Sequence, residues 1–348
     1  MNYIGYIGTY TKKDSKGIYS FELDTEEATI KNVNVAATIG SPTYLNITDD
    51  KQFLYSVAKE GENGGVAAYS IDLSSGQLTL LNKQLTPGAN PCHVNTDQRH
   101  HYLFSTNYHK GTVDSYLIEQ EKGTVSPPVS TIQHNGSGPD HRQEKAHTHY
   151  SGMTPDGKYL AAIDLGSDLL ATYSVSKKGE LNEVSRLDLP PGSGPRHLTF
   201  HPQLKSIAYL VTEFSSRVIV LNYNPDHGSF SILQSVKTIP EEFTENNQGS
   251  AIHVSSDGKF VYSGNRGHNS IAVFKTEEQT GELTFVENTS SEGDWPRDFV
   301  LDPTEKFLIV ANQESNNLVL FSRDTDTGKL TLVEKDIAAP EPICLKFL

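Results

Sequence analysis

Four side chains able to bear positive charge, His149, Arg196, Arg266 and Arg297, stand near the strand ends of successive copies of a repeating pattern, with Glu213 between them. The chain around them is acidic: 29 Lys and Arg against 43 Asp and Glu give a net charge of −14 over 348 residues. A local concentration of cations in such a chain makes a positive well that draws small anionic molecules against the global field. Charges at a partly buried mouth are costly unless a ligand or a chemical task uses them. Nucleic acid is excluded as a partner, because phosphate contact along a backbone needs a basic face and this chain has no long basic runs.

The elements that must position these residues follow from three patterns that recur in order. One is a short apolar run often opened by proline, as in Pro195-Arg196-His197-Leu198-Thr199-Phe200 and Pro296-Arg297-Asp298-Phe299-Val300-Leu301. The next is a β-rich run after a turn such as Pro155-Asp156-Gly157-Lys158. The third, such as Leu318-Val319-Leu320-Phe321, is often followed by a Thr-Gly turn before a last strand, as at Thr327 to Leu330. Short β-branched and aromatic runs bounded by Gly, Pro, Asp and Asn read as strands, and no amphipathic helix of useful length interrupts them. The period of about 48 residues suits a four-stranded propeller blade.

Second-type strands begin near Tyr3, Phe53, Tyr102, Tyr159, Ala208, Phe260 and Phe307. First-type strands begin near Thr43, Cys92, His149, Arg196, Ser250, Arg297 and Ile343. Each series has seven members, but the chain opens on the second type and closes on the first. Ring closure explains the offset: the last strand completes the blade that the N-terminus begins and removes an open sheet edge. The expectation is an all-β, seven-bladed β-propeller, four antiparallel strands per blade, with residues 1–348 as one domain.

In such a blade, the start of the innermost strand and the end of the second strand lie on one face. The first-type starts and the second-strand ends, including Asn107, Asp164, Asn265 and Asn312, therefore surround one mouth, and these four are expected to touch substrate. Their oxygens, with those of Glu213, also suggest a metal site, but Arg266 beside them repels a cation, so no metal or other cofactor is expected. His100-His101 and Asp140-His141 lack a zinc-like spacing and read as solvated. Gly61 to Gly65 reads as a flexible turn, and Pro240 to Asn247 as an exposed loop and a partial lid. Two cysteines are too few for a disulfide framework. No run approaches the ~20 apolar residues of a membrane span, and Met1 to Tyr10 does not resemble a signal peptide. A cytoplasmic protein, monomeric or weakly dimeric, is expected.

Several segments carry a resemblance: His147-Thr148-His149, Asp164-Leu165-Gly166-Ser167-Asp168, Gly194-Pro195-Arg196-His197, Thr212-Glu213-Phe214-Ser215, Gly264-Asn265-Arg266-Gly267-His268-Asn269, Trp295-Pro296-Arg297-Asp298-Phe299 and Ala311-Asn312-Gln313. Together they resemble the propeller lactonase family of bacterial 6-phosphogluconolactonases and fungal carboxy-muconate cyclases. Two departures are Ser256-Asp257-Gly258 in place of Pro-Asp-Gly, and Asp298 where histidine is common. The resemblance implies lactone chemistry without a required metal, with His149, Arg196, Glu213 and Arg266 at the catalytic positions. His149, with an unshifted pKa near ~6.5, is then the general base. The arginines hold the oxyanion or an anionic substituent, and Glu213 orients them or carries a proton. His147 and Arg297 are further substrate contacts. The expected substrate is a small anionic lactone, foremost 6-phospho-D-glucono-1,5-lactone. The alternatives are a muconate-type cyclase at the same site and a non-catalytic protein-binding propeller.

Overall fold

The computed structural model describes all 348 residues and contains seven antiparallel sheets of four strands each, with no helix. Blades I to VI follow the chain as residues 45–87, 93–133, 148–188, 195–237, 248–290 and 296–338. Blade VII joins the two ends. Its innermost strand is Pro342–Phe347, which pairs antiparallel with Asn2–Thr9 in the register Gly5↔Phe347 to Thr9↔Pro342. The offset between the two strand series is therefore a closed ring, as expected.

Burial explains why the second and third strands carry the strongest apolar runs. Both faces of each sheet pack on neighbouring blades, so Phe307–Asn312 and Ile207–Thr212 are buried at every position. The outermost strands meet solvent and alternate, as in Leu181–Asp188. Seven apolar clusters result, one at each junction between blades. Each large aliphatic or aromatic side chain buried there contributes about 1.5–3 kcal/mol. The core is thus distributed around the ring, which leaves the axis free for polar groups.

The glycine turns before the outermost strands have a second use. The glycines at 76, 123, 281 and 328 have φ near +70°, a conformation that favours residues without a Cβ. Their carbonyls accept hydrogen bonds from the hydroxyls of Tyr6, Tyr55, Tyr209 and Tyr262 on the preceding blade, at 2.8, 3.1, 2.8 and 2.9 Å. Blades II and III make the same tie through Ser115 to Gly179 and through Thr172 to Gly228. Six of the seven junctions are latched at an outer turn in this way, and between blades VI and VII Glu334 Oε2 accepts the N–H of Ile30 at 3.0 Å.

One local expectation is corrected. Gly61 to Gly65 is no flexible turn: Phe53–Glu60 and Asn63–Ile71 are joined by Gly61 and Glu62 alone. Position 64, within the second of these strands, requires glycine because a Cβ there would come within 2.3 Å of the Asn90 backbone.

Candidate active site

The innermost strands begin with a recurring irregularity. In blade III, Thr148 pairs with Asp164 and Tyr150 with Ile163, leaving His149 unmatched. Arg196 and Arg297 are unmatched in the same way in blades IV and VI, and Ile343 in blade VII. A bulge adds one residue, bends the strand and re-aims a side chain. Here it turns these residues toward the axis. Proline precedes several bulges, and the residue before it has positive φ: Ser41 at 46°, Gly194 at 58°, Trp295 at 64° and Glu341 at 46°. Trp295 is strained there, since a bulky residue rarely adopts this region. Asn269 Oδ1 accepts its N–H at 3.0 Å, and its carbonyl accepts from Gln313 N at 3.0 Å.

The bulges surround a cavity of about 810 Å³ on the axis, lined by His149, Arg196, Glu213, Arg266 and Arg297 from blades III to VI. Glu213 is the hub. Its Oε2 lies 2.7 Å from Arg266 Nη2 and 3.2 Å from Arg196 Nε. Arg196 Nη1 donates to Ser250 O at 2.6 Å, and Arg266 Nη2 donates to Gly249 O at 2.8 Å. In the orientation that satisfies both its neighbours, the Gln248 amide donates to Glu213 Oε1 at 3.1 Å and accepts from Arg142 Nη1 at 3.3 Å. Arg142 is fixed in turn by Asp140 and by stacking 3.7 Å over the Phe214 ring. Backbone carbonyls and a buried carboxylate thus hold two guanidiniums with their remaining donors free for a ligand.

Electrostatics follows from this crowding. Burial works against the Glu213 charge, but Arg266, Arg196 and Arg297 outweigh it and hold the carboxyl below its ordinary value. Burial, then Arg266 and Arg297, lower the Arg196 guanidinium. The expectation of an unshifted His149 is wrong. Burial first, then Arg196, Arg297, His93 and Arg266, push its imidazole well below 6.5. Its Nδ1 is buried with no hydrogen-bond partner, so no carboxylate stabilises an imidazolium. Three guanidiniums then face one carboxylate and a neutral histidine. That is a surplus of two positive charges.

The structure separates the remaining expected site residues from the cavity. Asn107, Asp164, Asn265 and Asn312 are buried but do not line it. Asn107 donates to Ala89 O, Asn265 to Thr238 O and Asn312 to Ser291 O, while Asp164 accepts from His147 N. Each ties a crossover segment to its blade, because side chains alternate along a strand and these point away from the axis. The residues just after the second-strand ends face the cavity instead: Tyr10, Tyr108, Glu213 and Arg266. His147 lies behind Tyr108, stacked at 4.2 Å between centroids, and its Nδ1 donates to Tyr108 O at 2.8 Å. It supports the wall without lining it. The Pro240–Asn247 loop lines a separate groove beside Phe214.

Sequence alignment of the repeats already places Tyr10 and Tyr108 at the mouth, but sequence reasoning missed Trp295, His197 and Gln248 as cavity residues. His197 was discoverable as the neighbour of a bulged arginine, but nothing marks Arg142, which sits in a crossover outside the repeat. Below His149 the axis is filled by rings: His149 to His197 at 5.1 Å, His197 to His93 at 5.5 Å, and His93 to Tyr44 at 4.2 Å. Asp298 lies at this floor and accepts the N–H of Leu345 at 2.8 Å. Its carboxylate thereby anchors the strand that closes the ring.

The family described as "Lactonase, 7-bladed beta-propeller" matches residues 4–347. A protein of Bacillus subtilis (strain 168) named 6-phosphogluconolactonase is 53% identical over 346 residues, covering 99% of this chain and 98% of that one. A crystal structure of a Lactobacillus plantarum protein superposes with a TM-score of 0.95 at 44% identity, covering all of both chains. The structure of a periplasmic gluconolactonase of Pseudomonas aeruginosa gives 0.95 at 31% identity, covering 100% and 99%. With the ring, the bulged arginines and the buried glutamate in place, these likenesses agree: the chain belongs to the seven-bladed β-propeller lactonase family.

Proposed function

We propose that the protein hydrolyses 6-phospho-D-glucono-1,5-lactone to 6-phosphogluconate in the axial cavity. The observation that carries this reading is the surplus of guanidinium charge around a neutral, buried histidine that lines the axial cavity. An anionic ester is drawn in, and a neutral imidazole is ready to take a proton. The name of the 53% identical relative supports the phosphorylated sugar lactone.

In the proposed reaction, His149 takes a proton from water as its oxygen adds to the lactone carbonyl carbon. The carbonyl oxygen becomes an oxyanion, held by free donors of Arg196 and Arg266. Glu213 keeps the two forks in register. Collapse breaks the bond to the ring oxygen, which leaves as an alkoxide and takes the proton back from His149. The depressed imidazole pKa helps here, because an imidazolium without a stabilising carboxylate gives up its proton readily. Water is thus added across one ester bond, with no change of oxidation state.

The whole chain, residues 1–348, acts in this reading as one domain, alone or as a weak dimer. A cytoplasmic setting is supported by two cysteines that are both free. The partner is the small lactone, with no role for nucleic acid or membrane. The test is a pH-stat assay on fresh phosphorylated and plain δ-lactones, corrected for spontaneous hydrolysis. Acceleration is expected, and His149→Ala should lower turnover by about 10²-fold or more. Acceleration of neither lactone, with no thermal protection by sugar-acid anions, would favour a protein-binding propeller.

A further inference from the structure

Three cations at the cavity wall, Lys12, Lys59 and Arg297, have no carboxylate partner, and two of them lie beside one ring. Arg297 makes only a long contact to Gln313 Oε1, at 3.5 Å. Its guanidinium carbon lies 5.8 Å from the centroid of the Tyr10 ring. Lys12 Nζ lies 4.0 Å from the same centroid. Both residues and Tyr10 line the axial cavity. Their charges therefore stand within 10 Å of each other across one ring. An aromatic face holds a cation by its quadrupole without neutralising it, so both keep their charge for a ligand. The Glu341 carboxylate beside this segment accepts the backbone N–H groups of Lys12 and Lys13, at 3.2 and 2.9 Å.

His149 and Glu213 belong to blades III and IV, while Tyr10 and Lys12 belong to blade VII. In a ring of seven, blade VII faces the junction of III and IV across the axis. Arg297, on blade VI, lies between these poles. The carboxylate hub at Glu213 makes its own side unsuitable for a second anion, whereas the Tyr10 side has cations and no paired acid.

We propose that Tyr10, Lys12 and Arg297 form the subsite for the phosphate of the substrate, opposite the reacting carbonyl, and so set the preference for phosphorylated over plain lactones. This rests on the lactonase reading but goes beyond it by assigning the anionic end to particular residues. The cavity spans the axis, so a sugar lying across it presents its carbonyl to blades III to V and its phosphate to blades VI and VII. Arg297 supplies the planar fork suited to a phosphate, and Lys12 a mobile point charge at the rim.

The test compares the native protein with Lys12→Ala, Lys12→Arg and Arg297→Lys on 6-phosphoglucono- and glucono-δ-lactone. Calorimetric binding of 6-phosphogluconate and gluconate is measured in parallel. Lys12 is exposed, so its replacement should not disturb folding. The ratio of kcat/KM for phosphorylated over plain lactone should fall about tenfold in Lys12→Ala and recover in Lys12→Arg. Arg297→Lys should lower the same ratio. Phosphogluconate binding should weaken in step while gluconate binding stays weak. An unchanged ratio in Lys12→Ala and Arg297→Lys would overturn the subsite while leaving the lactonase reading intact. If the native protein accelerates neither lactone, that reading fails, and the binding arm decides the subsite. Equal affinity of the native protein for both sugar acids would then refute it.

Discussion

Replacing Glu213 with glutamine tests the hub directly. The carboxylate touches Arg266 at 2.7 Å and Arg196 at 3.2 Å, and its side chain is 12% exposed. Removing one partner of a buried ion pair costs about 3–5 kcal/mol, because the other charge is left buried without compensation. The cavity opens to water on one side and both guanidiniums keep backbone acceptors, so the lower end, about 3 kcal/mol, is expected. Glutamine preserves shape, so cavity creation does not contribute. Urea denaturation should show a lower midpoint with an unchanged slope. Turnover should fall with it, because the two arginines lose their common anchor. The same variant should gain an anion site between them. A small carboxylate such as formate at about 100 times its dissociation constant restores about 2.7 kcal/mol by mass action, while the native protein gains less. A Glu213→Gln protein as stable as the native one, with no response to formate, would refute the hub: the arginines would then be solvated independently of Glu213.

Three further outcomes follow from the same geometry. Because burial and neighbouring guanidiniums lower the His149 pKa, the neutral base persists as pH falls. The value of kcat/KM for plain lactone should stay level from pH 8 to 6.5 and decline only well below that; a decline centred at or above 6.5 contradicts the assigned environment. Tyr209→Phe leaves the Gly281 carbonyl without its 2.8 Å donor and should reduce stability by about 1 kcal/mol in urea, with kcat unchanged. Deleting Pro342–Leu348 uncovers the edge of Asn2–Thr9 and should yield aggregating protein by light scattering, since an open strand edge templates pairing.

The order of residues along the chain was enough to determine the ring. Period, turn chemistry and the displaced first strand are local properties, and side chains that must pack against a neighbouring blade leave a readable apolar run. The same repeat brought His149, Arg196 and Arg297, at innermost-strand starts, and Arg266, at a second-strand end, to one mouth, because both sets of positions fall on the same face of every blade. Tertiary structure decided what repetition does not encode. Asn107 and Asn265 sit one residue from the wall residues Tyr108 and Arg266, yet like Asp164 and Asn312 they do not line the cavity, because side chains alternate along a strand. His147 supports Tyr108 from behind, and Arg142 reaches Gln248 from a crossover that no repeat aligns. The state of His149 also emerged only on folding, since an imidazole takes its acidity from what surrounds it, and three arginines separated by up to 101 residues become its neighbours only when the ring closes.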